Sequence, residues 1–189
     1  MKRGCHNWGF FRYNFSSKNR RGQVWVETVI YTLIALVMIG LVLSFVQPKI
    51  AELQDKSTLQ QSMSMLNEID NTILSLAQSS PGNTRKLEIN IKAGSLTIDG
   101  INDEIIFNLD KSHYQLSEPN TEVNYGNIVV YTHPFNDINN INMTLNYSQY
   151  NLTYQKGDTI KTITTSSTPY NLFISNNNGA KINMDFSLG

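Results

Sequence analysis

The chain has 189 residues, 15 Lys+Arg and 15 Asp+Glu, a formal net charge of zero, and a hydrophobic share of 40%. That apolar content excludes a wholly disordered chain, and a single cysteine, Cys5, excludes a fold built on disulfides. Three scattered histidines, His6, His113 and His133, are too few to predict a metal cluster.

The neutral total hides an asymmetry. Residues 1–22 hold Lys2, Arg3, Arg12, Lys18, Arg20 and Arg21 and no acid, so the remainder carries nine bases against 15 acids, a net charge of −6. The two parts are expected to face different compartments.

Val24–Val46 is a run of 23 residues with one charge, Glu27, and Thr28–Val46 has none over 19. A bilayer core of ~30 Å needs ~20 apolar residues at a helical rise of 1.5 Å, so this segment predicts one membrane span. The basic flank before it predicts a cytoplasmic N-terminus and an external C-terminal part. The run is too long for a secretory signal, and Ser44-Phe45-Val46 followed by Pro48 offers no small-residue cleavage site. Two readings of Glu27 stand at this point. It lies near the cytoplasmic interface, where a carboxylate stays hydrated, or it pairs with a positive group on another subunit.

Arg20-Arg21-Gly22-Gln23, then Val24-Trp25-Val26-Glu27, then an apolar helix, resembles the class III signal of archaeal type IV pilins. Bacterial type IV prepilins and archaellins share the layout with variation. The resemblance implies cleavage by a prepilin peptidase between Gly22 and Gln23, with Arg20 and Arg21 in the recognition sequence. Gln23 becomes the new N-terminus, and Glu27 is the fifth mature residue. Gln at the first mature position is more archaeal than bacterial, where Phe or Met is usual. Cleavage would expose an amino group with a reference pKa of ~8, which a carboxylate at Glu27 of a neighbouring subunit would neutralise. The implied partners are the peptidase, a pilus assembly platform, the membrane and other copies of the chain.

Past Pro48, apolar residues recur at Ile50, Leu53, Leu59, Met63, Leu66, Ile69, Ile73 and Leu76, mostly three or four apart, which predicts an amphipathic helix. Pro48 is expected to kink this helix rather than end it, and Ser80-Pro81-Gly82-Asn83 to stop it. After cleavage the helix would run from Gln23 to about Gln78, roughly 80 Å. Its last four turns are expected to cover a sheet, while its first half, apolar all round, needs lipid or copies of itself.

Residues 83–189 carry short alternating or β-branched runs separated by Ala-Gly, Asp-Gly, Pro-Asn, Asn-Asn and Asn-Gly turn signals. They predict about seven or eight strands in an antiparallel sandwich or a sheet wrapped on the helix. His133-Pro134-Phe135 reads as loop, and Asp99-Gly100-Ile101-Asn102-Asp103 as a turn without the spacing of an EF-hand. Asn-X-Ser/Thr sequons fall at Asn14, Asn142, Asn146 and Asn151. Asn14 lies in the leader. Asn142, Asn146 and Asn151 are candidate N-glycosylation sites, and Asn142 and Asn146 share strand parity and would present to one solvent face.

No phosphate loop, nucleophile elbow or zinc-peptidase motif occurs, so no enzymatic activity, cofactor or metal is expected, and the acidic external part disfavours nucleic acid. The expected class is α+β, organised as a cleaved basic leader 1–22, an apolar helix 23–47, an amphipathic helix 48–80 and an external antiparallel β-domain 83–189. The expected function is a structural subunit of a type IV pilus-like surface filament, with surface attachment as a plausible role. It would be membrane-inserted as a precursor and extracellular when assembled. Two alternatives remain: a minor pilin or pseudopilin, and a permanently anchored single-pass surface protein with a binding β-domain.

Overall fold

The computed structural model describes residues 20–177 and 181–189, with side chains from Val24 onward. The leader through residue 19, including Cys5 and the Asn14 sequon, lies outside the described residues, as do the side chains of Arg20, Arg21, Gly22 and Gln23. The architecture is α+β: one helix, α1 (Arg20–Ala77), followed by ten strands among the described residues. The described residues fall into two units, one ending at Val46 and one beginning at Gln47.

In the first unit every described side chain from Val24 to Val46 is exposed, including Trp25, Leu36, Leu41 and Phe45. This is a helix long and apolar enough to cross a membrane. Its hydroxyls turn inward on the backbone: Thr28, Thr32 and Ser44 each donate to a carbonyl three or four residues earlier. That pattern keeps polar hydrogens satisfied in surroundings without water.

In the second unit α1 continues through Pro48, which sits inside the helix. Ile50 and Leu53, the first two members of the expected stripe, are exposed. From Leu59 the stripe is buried: Leu59, Leu66, Ile69, Ile73 and Leu76 join the core of the β-domain. The helix ends at Ala77, and Gly82 takes the positive φ of 93° that the stop signal requires.

The strands are β1 (Thr84–Ile89), β2 (Ser95–Asp99), β3 (Glu104–Ser112), β4 (Glu122–Tyr125), β5 (Ile128–Phe135), β6 (Ile138–Asn146), β7 (Asn151–Tyr154), β8 (Ile160–Thr164), β9 (Tyr170–Asn177) and β10 (Asn183–Leu188). They form a four-stranded sheet ordered β1-β9-β10-β7 and a six-stranded sheet ordered β4-β5-β6-β3-β2-β8. In the larger sheet alternation sorts the side chains. Leu96, Ile98, Ile105, Phe107, Val130, Ile141, Met143 and Ile163 face the core. The opposite face carries a polar row set by register, Glu122–Tyr131–Asn142–Asn108–Ser95–Thr164.

Three features differ from expectation. The ten strands exceed the expected count because two apolar runs each hold two strands and β4 adds another. β4 is short, polar and mostly exposed, so it carries little hydrophobic signal. Next, β10 pairs with β7 in parallel, the exception in otherwise antiparallel sheets. Finally, His133-Pro134-Phe135 is not loop but the end of β5, paired with Asn140, Asn139 and Ile138. Proline is tolerated there because β4 pairs with β5 only as far as Tyr131, so the missing N–H costs the ladder nothing on that side.

Candidate functional site

The apolar stretch of α1 is the first candidate surface, and Glu27 is its acid. Tyr31, one turn later, donates its hydroxyl to Glu27 Oε1 at 3.2 Å. Spacing of four residues puts the two side chains on one helix face. Glu27 is therefore a partly satisfied carboxylate within an apolar surface, with further acceptor capacity for a cation or donor. Sequence reasoning missed Tyr31, although the interval of four from Glu27 was the signal for it. The backbone at Gly22–Gln23 is helical. Cleavage there would require local unwinding, and glycine lowers the helix preference by about 1 kcal/mol relative to alanine.

The second candidate is the clamp that holds the later turns of α1 on the β-domain. Asp70 is 7% exposed. Its Oδ1 accepts from the Tyr147 hydroxyl at 2.8 Å and its Oδ2 from Asn127 Nδ2 at 2.8 Å. Tyr147 follows β6, and Asn127 occupies the β4–β5 turn, where Gly126 takes a positive φ of 65°. Tyr147 is pushed above the ordinary phenol range by burial, then by its hydrogen bond to Asp70, with the charges of Asp70 and Tyr150 adding to the shift. It therefore remains a neutral donor.

At the helix end Asn176 of β9 donates to the carbonyls of Leu76, at 2.7 Å, and Ser79, at 3.2 Å. The Leu76 carbonyl, in the last turn of α1, also accepts from the Ser79 backbone and hydroxyl, so Asn176 joins an existing cap on the helix end. Nearer the start of the unit, Asp55 Oδ2 accepts from the His113 backbone and lies 3.1 Å from its Nδ1. Asp70, Tyr147 and Asn176 were all missed by sequence reasoning, because their partners lie 57 to 100 residues away.

The β2–β3 loop uses its acids internally. Asp99 Oδ1 accepts from the backbone of Ile101 and Asn102, and Oδ2 from Asn102 Nδ2. Burial alone would raise the Asp99 carboxyl, but the Asn102 and Ile101 hydrogen bonds outweigh it and hold it below its ordinary value. Asp103 Oδ1 accepts from the Leu152 backbone at 2.8 Å, tying this loop to β7. The segment is a turn, and its carboxylates orient backbone. Among the described residues no group of three His, Cys, Asp or Glu side chains is arranged to hold a metal.

The three described sequons separate. Asn142 and Asn146 are exposed on the outer face of β6 and line one shallow concavity with Glu104, Glu122, Tyr131 and Thr144. The Asn146 amide is engaged at both ends, donating to Glu104 Oε1 at 3.0 Å and accepting from the Ser148 backbone at 3.1 Å. Asn151 is half-buried in the other sheet, and its threonine, Thr153, is buried and hydrogen-bonded to Asn183 and Asp185.

No family model matches the chain, and comparisons with curated proteins and with solved structures return no match.

Proposed function

We propose that this chain is a structural subunit of a type IV pilus-like surface filament, processed between Gly22 and Gln23 and assembled through its N-terminal helix. The observation that carries the reading is the exposure of every large apolar side chain from Val24 to Val46. Burying a Leu, Ile or Phe side chain contributes ~1.5–3 kcal/mol, so the 17 large exposed apolar side chains of this stretch demand lipid or other copies of the same helix. The order of basic pair, glycine, acid and apolar helix supports the second destination after a stay in the first. Lipid already shelters these side chains, so transfer into a filament gains less than transfer from water and calls for an assembly machine.

In this mechanism the leader holds the precursor with its N-terminus inside. Cleavage frees the amino group of Gln23, and Glu27 of a neighbouring subunit compensates it within the apolar bundle. The β-domain, clamped on the later turns of its own helix, forms the outer surface and supports attachment there.

Glu27→Gln tests this cleanly. The glutamine oxygen still accepts from Tyr31, so only the charge is removed. An amine left without its counter-charge in a solvent-free bundle loses several kcal/mol per site. Insertion, cleavage and β-domain folding are expected to persist while filament counts by negative-stain microscopy collapse. Glu27→Asp is expected to be intermediate. Wild-type filament numbers in Glu27→Gln would overturn the charge-pair mechanism, and a permanently anchored surface protein would show no dependence on this charge at all.

A further inference from the structure

Hydrogen bonds fix which end of the β-domain lies beside which part of its helix. Asp55 accepts from the backbone of His113, just past β3, and Asp70 accepts from Tyr147, just past β6. Ser112 pairs with Asn139 near the start of β6. β6 therefore runs alongside α1 with Ile138 at the Asp55 end and Asn146 at the Asp70 end.

The β5–β6 turn caps the Asp55 end. Phe135 pairs with Ile138 across Asn136 and Asp137, one step beyond the Pro134–Asn139 pair. The turn thus projects past the His113–Asp55 contact, toward the helix residues that precede Asp55. Its tip is apolar: Phe135 is 60% exposed, Pro134 is exposed and Ile138 is half-buried. On the helix at the same end, Ile50 and Leu53 are exposed as well. One exposed apolar residue signifies little, but a turn tip and a helix segment bearing them at one end of a domain mark an interaction surface.

We propose that the β5–β6 turn, with Phe135 at its tip, docks on the surface of the membrane that the chain's own helix crosses. The occupant follows from the chain. The uncharged apolar run ends at Val46, nine residues before Asp55, in a helix long and apolar enough to span a bilayer. Nine residues are at most ~14 Å of helix. The turn reaches back over that interval by one to two strand residues, ~3–7 Å. The headgroup layer extends ~5–8 Å beyond the hydrocarbon core on each side, so an aromatic tip at that height meets lipid rather than open water.

Charge selects the kind of surface. The charges near this end balance, Lys49, Lys56 and Lys111 against Glu52, Asp110 and Asp137, while Asp55 faces His113. Attraction to anionic headgroups is therefore small, and the contact is apolar and insensitive to salt. A single turn suffices, because the helix already holds it at the surface and the second contact is intramolecular. The contact requires a membrane span and not a filament. It holds in the precursor of a filament subunit and in a permanently anchored protein alike.

The test uses the full chain reconstituted in phosphatidylcholine vesicles, with Trp8→Phe and Trp25→Phe to remove the natural indoles. Phe135→Trp then reports the turn, and Tyr125→Trp reports the opposite end of the domain, beside the turn that meets Asp70. Lipid brominated near the headgroup end of its chains is expected to quench Phe135→Trp at least about two-fold more than Tyr125→Trp, with emission shifted to shorter wavelength. The difference should persist as the chain is diluted in lipid, when salt is raised, and when anionic phosphatidylglycerol is added. Equal quenching at both sites, or none at Phe135→Trp, would overturn the proposal. A blue shift that fades on dilution in lipid would also overturn it, since a second copy would then cover the turn. A chain that does not float with the vesicles would remove the membrane span and this contact together. Absence of filaments in cells, with the quenching intact, would remove the filament reading and leave the docking turn standing.

Discussion

Removing the Asp70 carboxylate should release the later turns of α1 from the β-domain. Asp70 is buried and receives two hydrogen bonds of 2.8 Å, one from a tyrosine that is itself 2% exposed. A hydrogen bond to a charged acceptor contributes ~1.5–3 kcal/mol, and stranding the buried Tyr147 hydroxyl is the larger part of that loss. The Asn127 amide sits in a surface turn and recovers water, so it adds less. Asp70→Ala is therefore expected to cost about 2–4 kcal/mol. Asp70→Asn keeps an acceptor for Tyr147 but turns a second amide donor toward Asn127, for about 1–2 kcal/mol. The assay is urea unfolding of the unit beginning at Gln47, followed by far-ultraviolet circular dichroism. With a slope of ~2 kcal/mol per molar urea, Asp70→Ala should lower the midpoint by about 1–2 M. Combining Asp70→Ala with Tyr147→Phe should cost less than the two singles together, since the stranded hydroxyl is gone. A midpoint within about 0.3 M of wild type for Asp70→Ala would refute the clamp.

Deleting the chain through Gln78 should leave a β-domain that aggregates, because Leu59, Leu66, Ile69, Ile73 and Leu76 supply part of its core; light scattering reads this, and a monodisperse fragment beginning at Asn83 would contradict it. Stability should also fall at both pH extremes. The Asp99 carboxyl is held below its ordinary value, so its contribution is present above ~3.9 and is lost as pH falls through the folded-state value. Tyr147 is raised, so its contribution is present below ~10 and is lost as pH climbs beyond that. Asp99→Asn should flatten the acid limb of a midpoint-versus-pH curve, and Tyr147→Phe the alkaline limb.

The helix was legible because its signals are local and repeated: an unbroken apolar run, then a stripe at three- and four-residue spacing, then Ser-Pro-Gly-Asn. Most of the strands were legible from alternation bounded by turn residues. β4 was not, because an exposed strand of Glu-Val-Asn-Tyr has no apolar face to announce it. The end of β5 was not, because proline argues for loop unless the neighbouring strand has already ended, which is a property of pairing. Clamp residues were illegible for a related reason. Nothing near Asp70 or Asn176 in sequence shows that a tyrosine or a helix end comes to meet it. Glu27 was legible as an isolated acid in an apolar run, but its intrahelical donor Tyr31 emerged only from the structure. The sequons show the opposite limit: spacing placed Asn142 and Asn146 on one face, yet gave no sign that Asn146 is already engaged.

The proposed filament requires the apolar helix to begin the mature chain. Intact-mass measurement of the protein extracted from membranes tests it most directly. The expected result is a chain that starts at Gln23, and a full-length precursor when Gly22 is changed to valine, since the signal resembles those that are cleaved after a small residue. A wild-type chain that retains Lys2–Gly22, or a Gly22→Val chain still trimmed to Gln23, would contradict it.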